Sequence, residues 1–242
     1  MNLSKKTVLI TGANRGIGQA LVTEALNRGA ERVYAGTRKP MIHPDRRVIP
    51  VIMDITDAAQ IQRAAANIGS LDIVLNNAGL SVFDDLSDRS AIEQHLAVNL
   101  YGPYGVATAF LPMLAVSKGA LVNILSLSSL ASVPMYPAYS ISKAAALSLT
   151  QSLRTLWAAR GVRVHGVFPG PVDTDMVRDL DLPKASPESV ASAIFDGVER
   201  GEEEIFPDTM SAPIADGWRN SISKGLERQF AAYMQETPAN VA

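Results

Sequence analysis

Cysteine is absent from this chain of 242 residues, which excludes disulfides and thiolate metal sites. Histidine is nearly as scarce. His43, His95 and His165 are the only three and show no metal-ligand spacing, so each is expected to be a surface or locally hydrogen-bonded side chain. Neither sign of charge is in excess: 22 basic residues face 24 acidic ones, for a net charge of −2, which disfavours a nucleic-acid or other polyanion-binding role. Long apolar runs are missing too. No segment approaches the roughly 20 residues of a membrane-spanning helix, and the opening MNLSKKTVLITGANRG has too short an apolar stretch for a signal peptide. By elimination the expectation is a soluble, cytoplasmic protein with no membrane partner. Internal repeats, low-complexity tracts and linkers are also lacking, so one domain over residues 1–242 is the economical reading, with about 209–242 a helical extension and tail.

What the chain does contain is a hydrophobic content of 47%, enough for a sizeable core. Short β-branched runs alternate with stretches of helical length. Strands are expected at Val8–Ile10, Arg32–Gly36, Val48–Met53, Asp72–Leu75, Ala120–Leu125, Val162–Phe168 and Glu203–Phe206. Helices are expected at Ile17–Arg28, Ala58–Asn67, Ala91–Asn99 continuing past Pro103 towards Leu114, Ala138–Ala159 and Pro187–Arg200. This alternation predicts an α/β fold with a parallel sheet covered by helices on both faces, and the near-uniform apolarity of the strands agrees. Ala212–Tyr233, bearing Trp218, Phe230 and Tyr233, reads as a weakly amphipathic helix, followed by a frayed tail, ETPANVA.

The first strand runs into Thr11-Gly12-Ala13-Asn14-Arg15-Gly16-Ile17-Gly18. Glycines there allow a tight turn and close approach of backbone to an anion, while the free N–H groups of the following helix face its phosphates. The spacing is Gly-x-x-x-Gly-x-Gly, which departs from Gly-x-Gly-x-x-Gly. At the end of strand two, where a carboxylate would accept hydrogen bonds from an adenosine 2′-hydroxyl, the sequence is Gly36-Thr37-Arg38-Lys39. Arg38 is suited to clamp a 2′-phosphate, with Arg15 approaching from the glycine turn, so these residues favour NADP(H) over NAD(H) as cofactor.

Further on come Asn76-Asn77-Ala78-Gly79, Asn99 in AVNLYG, Ser126 in VNILS, and Tyr139-Ser140-Ile141-Ser142-Lys143, which sets a phenol and an ammonium one helical turn apart. With these motifs in this order the chain resembles the short-chain dehydrogenase/reductase family, of the carbonyl reductase type. Ser126 precedes Tyr139 by 13 residues, close to the family spacing, and Ser128 and Ser129 fit it less well. The resemblance implies a single-domain Rossmann fold: a doubly wound, seven-stranded parallel sheet binding NADP(H) along its carboxyl edge.

It also implies roles. Tyr139 is the general acid/base, Ser126 holds the substrate oxygen, Lys143 grips the nicotinamide ribose and lowers the Tyr139 pKa, and Asn99 anchors a water that relays protons. Asn99 also reads as a buried amide bracing a helix kink before Gly102-Pro103. Asp54, beside Ile55, is expected to contact the adenine or to cap the Ala58 helix. Asn76, Ala78 and Gly79 fall near the ribose. Pro169-Gly170-Pro171-Val172-Asp173-Thr174 is expected at the nicotinamide carboxamide, through Val172 and Thr174. The substrate wall is drawn from Leu80, Val82, Phe83, Pro134, Met135, Tyr136, Met176, Val177 and Leu180, nearly all apolar and none basic, which fits a small hydrophobic carbonyl or alcohol. The expected activity is NADPH-dependent reduction of a ketone or aldehyde. The alternatives are an NAD-linked alcohol dehydrogenase or epimerase, or a non-catalytic sensor. Many relatives close with a Gly-Gly pair that this chain lacks, which puts the familiar tetramer in doubt and leaves a homodimer or homotetramer open.

Overall fold

Seven parallel strands form one sheet in the order β3-β2-β1-β4-β5-β6-β7 in the computed structural model, which describes residues 1–236. They are β1 (Thr7–Thr11), β2 (Arg32–Thr37), β3 (Val48–Ile52), β4 (Ile73–Asn76), β5 (Ala120–Ile124), β6 (Arg163–Val167) and β7 (Glu204–Ile205). Between them run α1 (Gly16–Asn27), α2 (Ala58–Asn67), α3 (Arg89–Leu96), α4 (Gly102–Ser117), α5 (Pro137–Ala158) and α6 (Pro187–Arg200), and α7 (Ala215–Arg219) and α8 (Ile222–Glu236) follow the sheet. The expected tail beyond residue 236 lies outside the described residues.

The strand period of two sorts the core into two layers. Val8, Ile10, Ile73, Leu75, Ala120 and Val122 point to one face, where α1 and α6 cover them. Leu9, Val74, Leu121 and Val164 point to the other, against α2, α4 and α5 through Ile61, Phe110, Leu114, Leu153 and Trp157. Coverage on both faces explains why the inner strands carry almost no polar side chain. It fails at β3: only Val48 of that strand is buried, and Ile52 is 57% exposed. This is an edge strand, where Pro50 is tolerated because no further strand needs its missing N–H.

Residues 89–117 form a helical run of 29 residues, of which an 18-residue window reaches a mean hydropathy of 1.2 and so meets the measure of a spanning helix, contrary to the expectation that no segment would. Within the fold its apolar residues Val106, Phe110 and Leu114 are fully buried in the core. The run is interrupted at Ala97–Tyr101 by a π turn, which lets α4 begin with Gly102 tight against Ile55.

Trp218 does not dangle in a tail. It lies 6.0 Å from Phe168, itself stacked on Phe206 at 5.1 Å. Parallel strands place all their C-terminal ends along one edge; the glycine turn, Arg38, Asn77–Gly79, Ser126 and Pro169–Thr174 leave that edge, while Asn99 and the Tyr139, Lys143 pair sit on the helical segments.

Candidate active site

The glycine turn between β1 and α1 is an open cradle. Gly12 and Gly16 have positive φ values of 65° and 52°. A Cβ on Gly12 would lie 2.9 Å from the Ala78 Cα, and one on Gly18 would lie 2.1 Å from the Gly12 carbonyl oxygen. The turn is stitched to the β4 exit by Thr11, whose hydroxyl accepts from the N–H groups of Asn77 and Ala78 at 3.0 Å each, and by the Asn77 amide, which donates to the Thr11 and Gly12 carbonyls. Asp57, Asp88 and Ser186 cap α2, α3 and α6 with their side chains. The N-terminus of α1 has no such cap: Arg15 stands at that position and makes no capping hydrogen bond. Uncapped N–H groups beside a backbone cradle that admits no side chain fit the diphosphate of a dinucleotide.

The end of β2 adjoins this cradle, with Ala13 N–H donating to Gly36 O at 3.1 Å and Met53 N–H to Thr37 O at 2.8 Å. Arg15 and Arg38 each lie two residues beyond the first of these joints, and both are exposed. Arg15 pairs with Asp175 at 3.3 Å across to the loop after β6. Thr37 is buried, its hydroxyl donating to Lys39 O. Asn14 is exposed and Ile17 half-buried. Asp54 does not cap α2; Asp57 does so by accepting from Ala59 and Gln60 N–H, while Asp54 accepts from the Thr56 N–H and hydroxyl. Ile55 is packed on Gly102. Asn76 is turned into the core, donating to Pro103 O and to the Asn123 amide oxygen.

Tyr139 and Lys143 occupy the first turns of α5, where Pro137 is at a favoured start position. The Lys143 ammonium is buried, 5.7 Å from the centre of the Tyr139 ring, and donates to Ile124 O at 2.7 Å. Ser126 leaves β5 and caps the short turn Leu127–Ser129 by accepting from Ser128 N–H at 3.1 Å. The hydroxyls of Ser128 and Ser129 are buried without partners among the described residues. Burial raises the Tyr139 phenol above its ordinary value of 10, with the Ser126 hydroxyl acting against it. Burial lowers Lys143 to about 8. Burial thus opposes the acidification of the phenol that the resemblance implies for Lys143, whose ammonium is directed at a carbonyl.

Asn99, in the π turn, is 1% exposed. Its Oδ1 accepts from Leu80 N–H and its Nδ2 donates to Leu80 O, both at 2.8 Å, and to the Ser142 hydroxyl at 2.9 Å. Nearby is a cavity of ≈ 10 Å³ bordered by Asn76, Asn99, Asn123 and Lys143, about the least space that holds one water.

Contacts not foreseen in the sequence, made by His95 and Asp84, fix the loop after β4. His95, one helical turn before Asn99, accepts from Val82 N–H at 3.1 Å, and its other ring nitrogen donates to Ala91 O at 2.6 Å. Its ring meets that of Tyr139 edge-on at 6.3 Å. Asp84 accepts from Ala138 N–H at the start of α5. The only sequence signal for His95 was its helical phase with Asn99.

Of the substrate-wall residues, Phe83 and Tyr136 form an edge-on aromatic pair at 6.3 Å. Phe83, Met135 and Met176 are exposed, and Leu80, Tyr136, Val177 and Leu180 are half-buried. Pro169 O accepts from Leu127 N–H, tying the β6 exit to the Ser126 turn. Gly170 N–H donates to Asp208 at 2.8 Å, and a Cβ there would meet Met210. Val172 is buried and bridged to Ala185, while the Thr174 methyl group faces Gly16 across the cradle.

A family model described as short chain dehydrogenase matches residues 6–185. The short chain dehydrogenase pigC of Monascus ruber is 34% identical over 74% of this chain and 67% of its own length. The oxidoreductase UcpA of Escherichia coli is 33% identical over 92% of this chain and 95% of its own. A crystal structure of a short chain dehydrogenase from Burkholderia cenocepacia, in complex with NADP, superposes with a TM-score of 0.87 at 35% identity, covering 95% of this chain and 98% of that one.

Proposed function

This chain belongs to the short chain dehydrogenase family and is an oxidoreductase; from that premise we propose that it uses NADP(H) to reduce a hydrophobic ketone or aldehyde, and to oxidise the alcohol in the reverse direction. The observation that carries the reading is the convergence of Ser126, Tyr139 and Lys143 on the sheet edge that holds an uncapped helix N-terminus, with Arg38 where NAD-binding chains place an acid. The NADP seen in the Burkholderia relative supports the choice of cofactor.

The residues present suit this dinucleotide. The Gly12–Gly18 cradle would take the diphosphate, Arg38 the 2′-phosphate, and Lys143 a ribose hydroxyl. When bound, the reduced cofactor supplies hydride to the carbonyl carbon. Tyr139 donates its phenolic proton to the carbonyl oxygen, and the raised pKa keeps that proton in place at neutral pH. Ser126, whose acceptor side is engaged by Ser128 N–H, has its own proton free to donate to the same oxygen and stabilise the charge developing there. Lys143 directs one donor to Ile124 O and retains two, so its ammonium supports the phenolate left on Tyr139. Asn99 holds Leu80 and, through Ser142, the backbone of Tyr139, which keeps the wall and the acid in register. The cavity beside Asn99 and Lys143 gives a water room to return the proton.

The test is NADPH oxidation with a panel of aryl and alkyl ketones. Turnover with the wild type and a loss of about 10²–10⁴-fold in kcat for Tyr139→Phe, with NADPH binding retained, are expected. No turnover across the panel, or a fully active Tyr139→Phe, refutes the reading.

A further inference from the structure

One carboxylate joins the segment after β7 to the loop after β6. Asp208 Oδ1 accepts from Met210 N–H at 3.0 Å and Ser211 N–H at 2.9 Å, which closes a local turn. The buried Ser211 hydroxyl locks that turn by accepting from Asp208 N–H and donating to Asp208 O, both at 3.2 Å. The other carboxylate oxygen, Oδ2, serves no local purpose: it accepts at 2.8 Å from Gly170 N–H, 38 residues away. Pro169 and Pro171 have no N–H, so Gly170 carries the only backbone donor of those three residues, and its acceptor decides where they stand. The approach is close enough to need glycine. A Cβ on Gly170 would lie 3.1 Å from Asp208 Oδ1 and 3.2 Å from the Met210 Cβ.

We propose that Asp208 is a positioning residue for the reacting half of the dinucleotide, acting through the loop 169–174; this rests on NADP(H) lying along the sheet edge as proposed. The loop spans the two places that would fix that half. At its start, Pro169 O accepts from Leu127 N–H at 3.1 Å, beside Ser126. At its end, the Thr174 methyl group would lie 2.9 Å from a Cβ on Gly16 of the diphosphate cradle. A cofactor with its diphosphate in the cradle and its reacting ring at Ser126 and Tyr139 therefore runs along these six residues. The far part of the loop has its own anchor, with Asp173 N–H donating to Ala185 O at 2.9 Å and Ala185 N–H to Pro171 O at 3.0 Å. The near part depends on Asp208, and a carboxylate holds an N–H more strongly than a carbonyl does. The adenosine half, at the exit of β2, is outside its reach in the chain's hydrogen bonding.

The test separates the two halves of the cofactor by calorimetric titration of the full chain. One ligand is NADPH; the other is adenosine 2′,5′-bisphosphate, which lacks the reacting half. Asp208→Asn keeps the side chain's shape but has one acceptor oxygen for two sets of N–H donors and turns an amide N–H₂ towards the other. It is expected to weaken NADPH about tenfold and the bisphosphate by less than about twofold, because only a hydrogen bond on the reacting half is lost. Gly170→Ala leaves the Asp208 turn closed and pushes the loop off it, and is expected to give the same split. A merely structural role would lower the melting temperature and weaken both ligands alike. The proposal is overturned if both variants bind NADPH as the wild type does, or if the two ligands weaken equally. Ketone turnover and NADPH binding by the wild type are scored first, so failure of the proposed reaction shows in the unaltered chain and failure of the tether in the variants.

Discussion

Lys143 lies 5.7 Å from the centre of the Tyr139 ring, yet its ammonium is hydrogen-bonded to Ile124 O at 2.7 Å. The two groups are coupled by burial as much as by charge. Burial holds the phenol protonated and brings the ammonium down to about 8, so at neutral pH both carry the proton that ketone reduction needs.

A pH profile follows. Lys143 loses its charge as pH rises through about 8, and kcat/KM for NADPH, which reports the free enzyme, is expected to be level near neutrality and to fall above that value. Lys143→Arg keeps a cation at all working pH values and should abolish this limb even if its overall rate is lower. A limb unchanged in position in Lys143→Arg assigns it to another group.

On the proposed reading, Arg38 at the β2 exit sets the cofactor preference. Charge-assisted hydrogen bonds are worth about 1.5–3 kcal/mol, so Arg38→Asp should raise KM for NADPH by about 10–100-fold and favour NADH. The exposed Arg15–Asp175 pair, worth about 0–1 kcal/mol, leaves Arg15 free to turn towards the same phosphate. Steady-state comparison of the two cofactors decides the point; an unmoved ratio of specificity constants removes Arg38 from the assignment.

His95 holds the loop that carries Val82 and Phe83. His95→Phe keeps an aromatic ring but leaves Val82 N–H without its acceptor, a loss of about 1–3 kcal/mol. KM for the carbonyl substrate is expected to rise more than kcat falls, with His95→Gln recovering part of the loss because its amide oxygen accepts. Equal effects of Phe and Gln would show that the ring's packing matters and its hydrogen bond does not.

His165 in β6 sets the acid limit of stability. It is 2% exposed and donates to Glu202 O, and burial lowers its pKa from 6.5 to about 4. The unfolded chain therefore binds a proton between those values that the folded chain refuses. Stability is complete above about 6.5 and falls as pH drops towards 4, with about 2 kcal/mol lost between pH 7 and pH 5 from this group. Urea midpoints at the two pH values, for the wild type and His165→Asn, measure it; the variant should lose less.

The strands and the α2 and α6 boundaries were legible because period and capping are local: Ala58–Asn67 and Pro187–Arg200 were expected where they occur. The glycine turn and the Tyr139, Lys143 pair were legible for the same reason. What escaped was set by distant contacts. Asn76 looks like a cleft residue until Asn123 and Pro103 are seen to take its amide. In Asp54-Ile55-Thr56-Asp57 either acid suits a cap, and only the helix start selects Asp57. His95 and Asp84 acquire meaning from Val82 and Ala138, 13 and 54 residues away.

Ser126, Tyr139 and Lys143 stand at the exit of β5 and on α5, whereas Leu80, Phe83, Met135, Met176 and Met210 belong to connecting segments outside the sheet and the long helices. On the reading proposed above, directed evolution by libraries confined to those few short stretches would redirect selectivity without randomising the reacting groups.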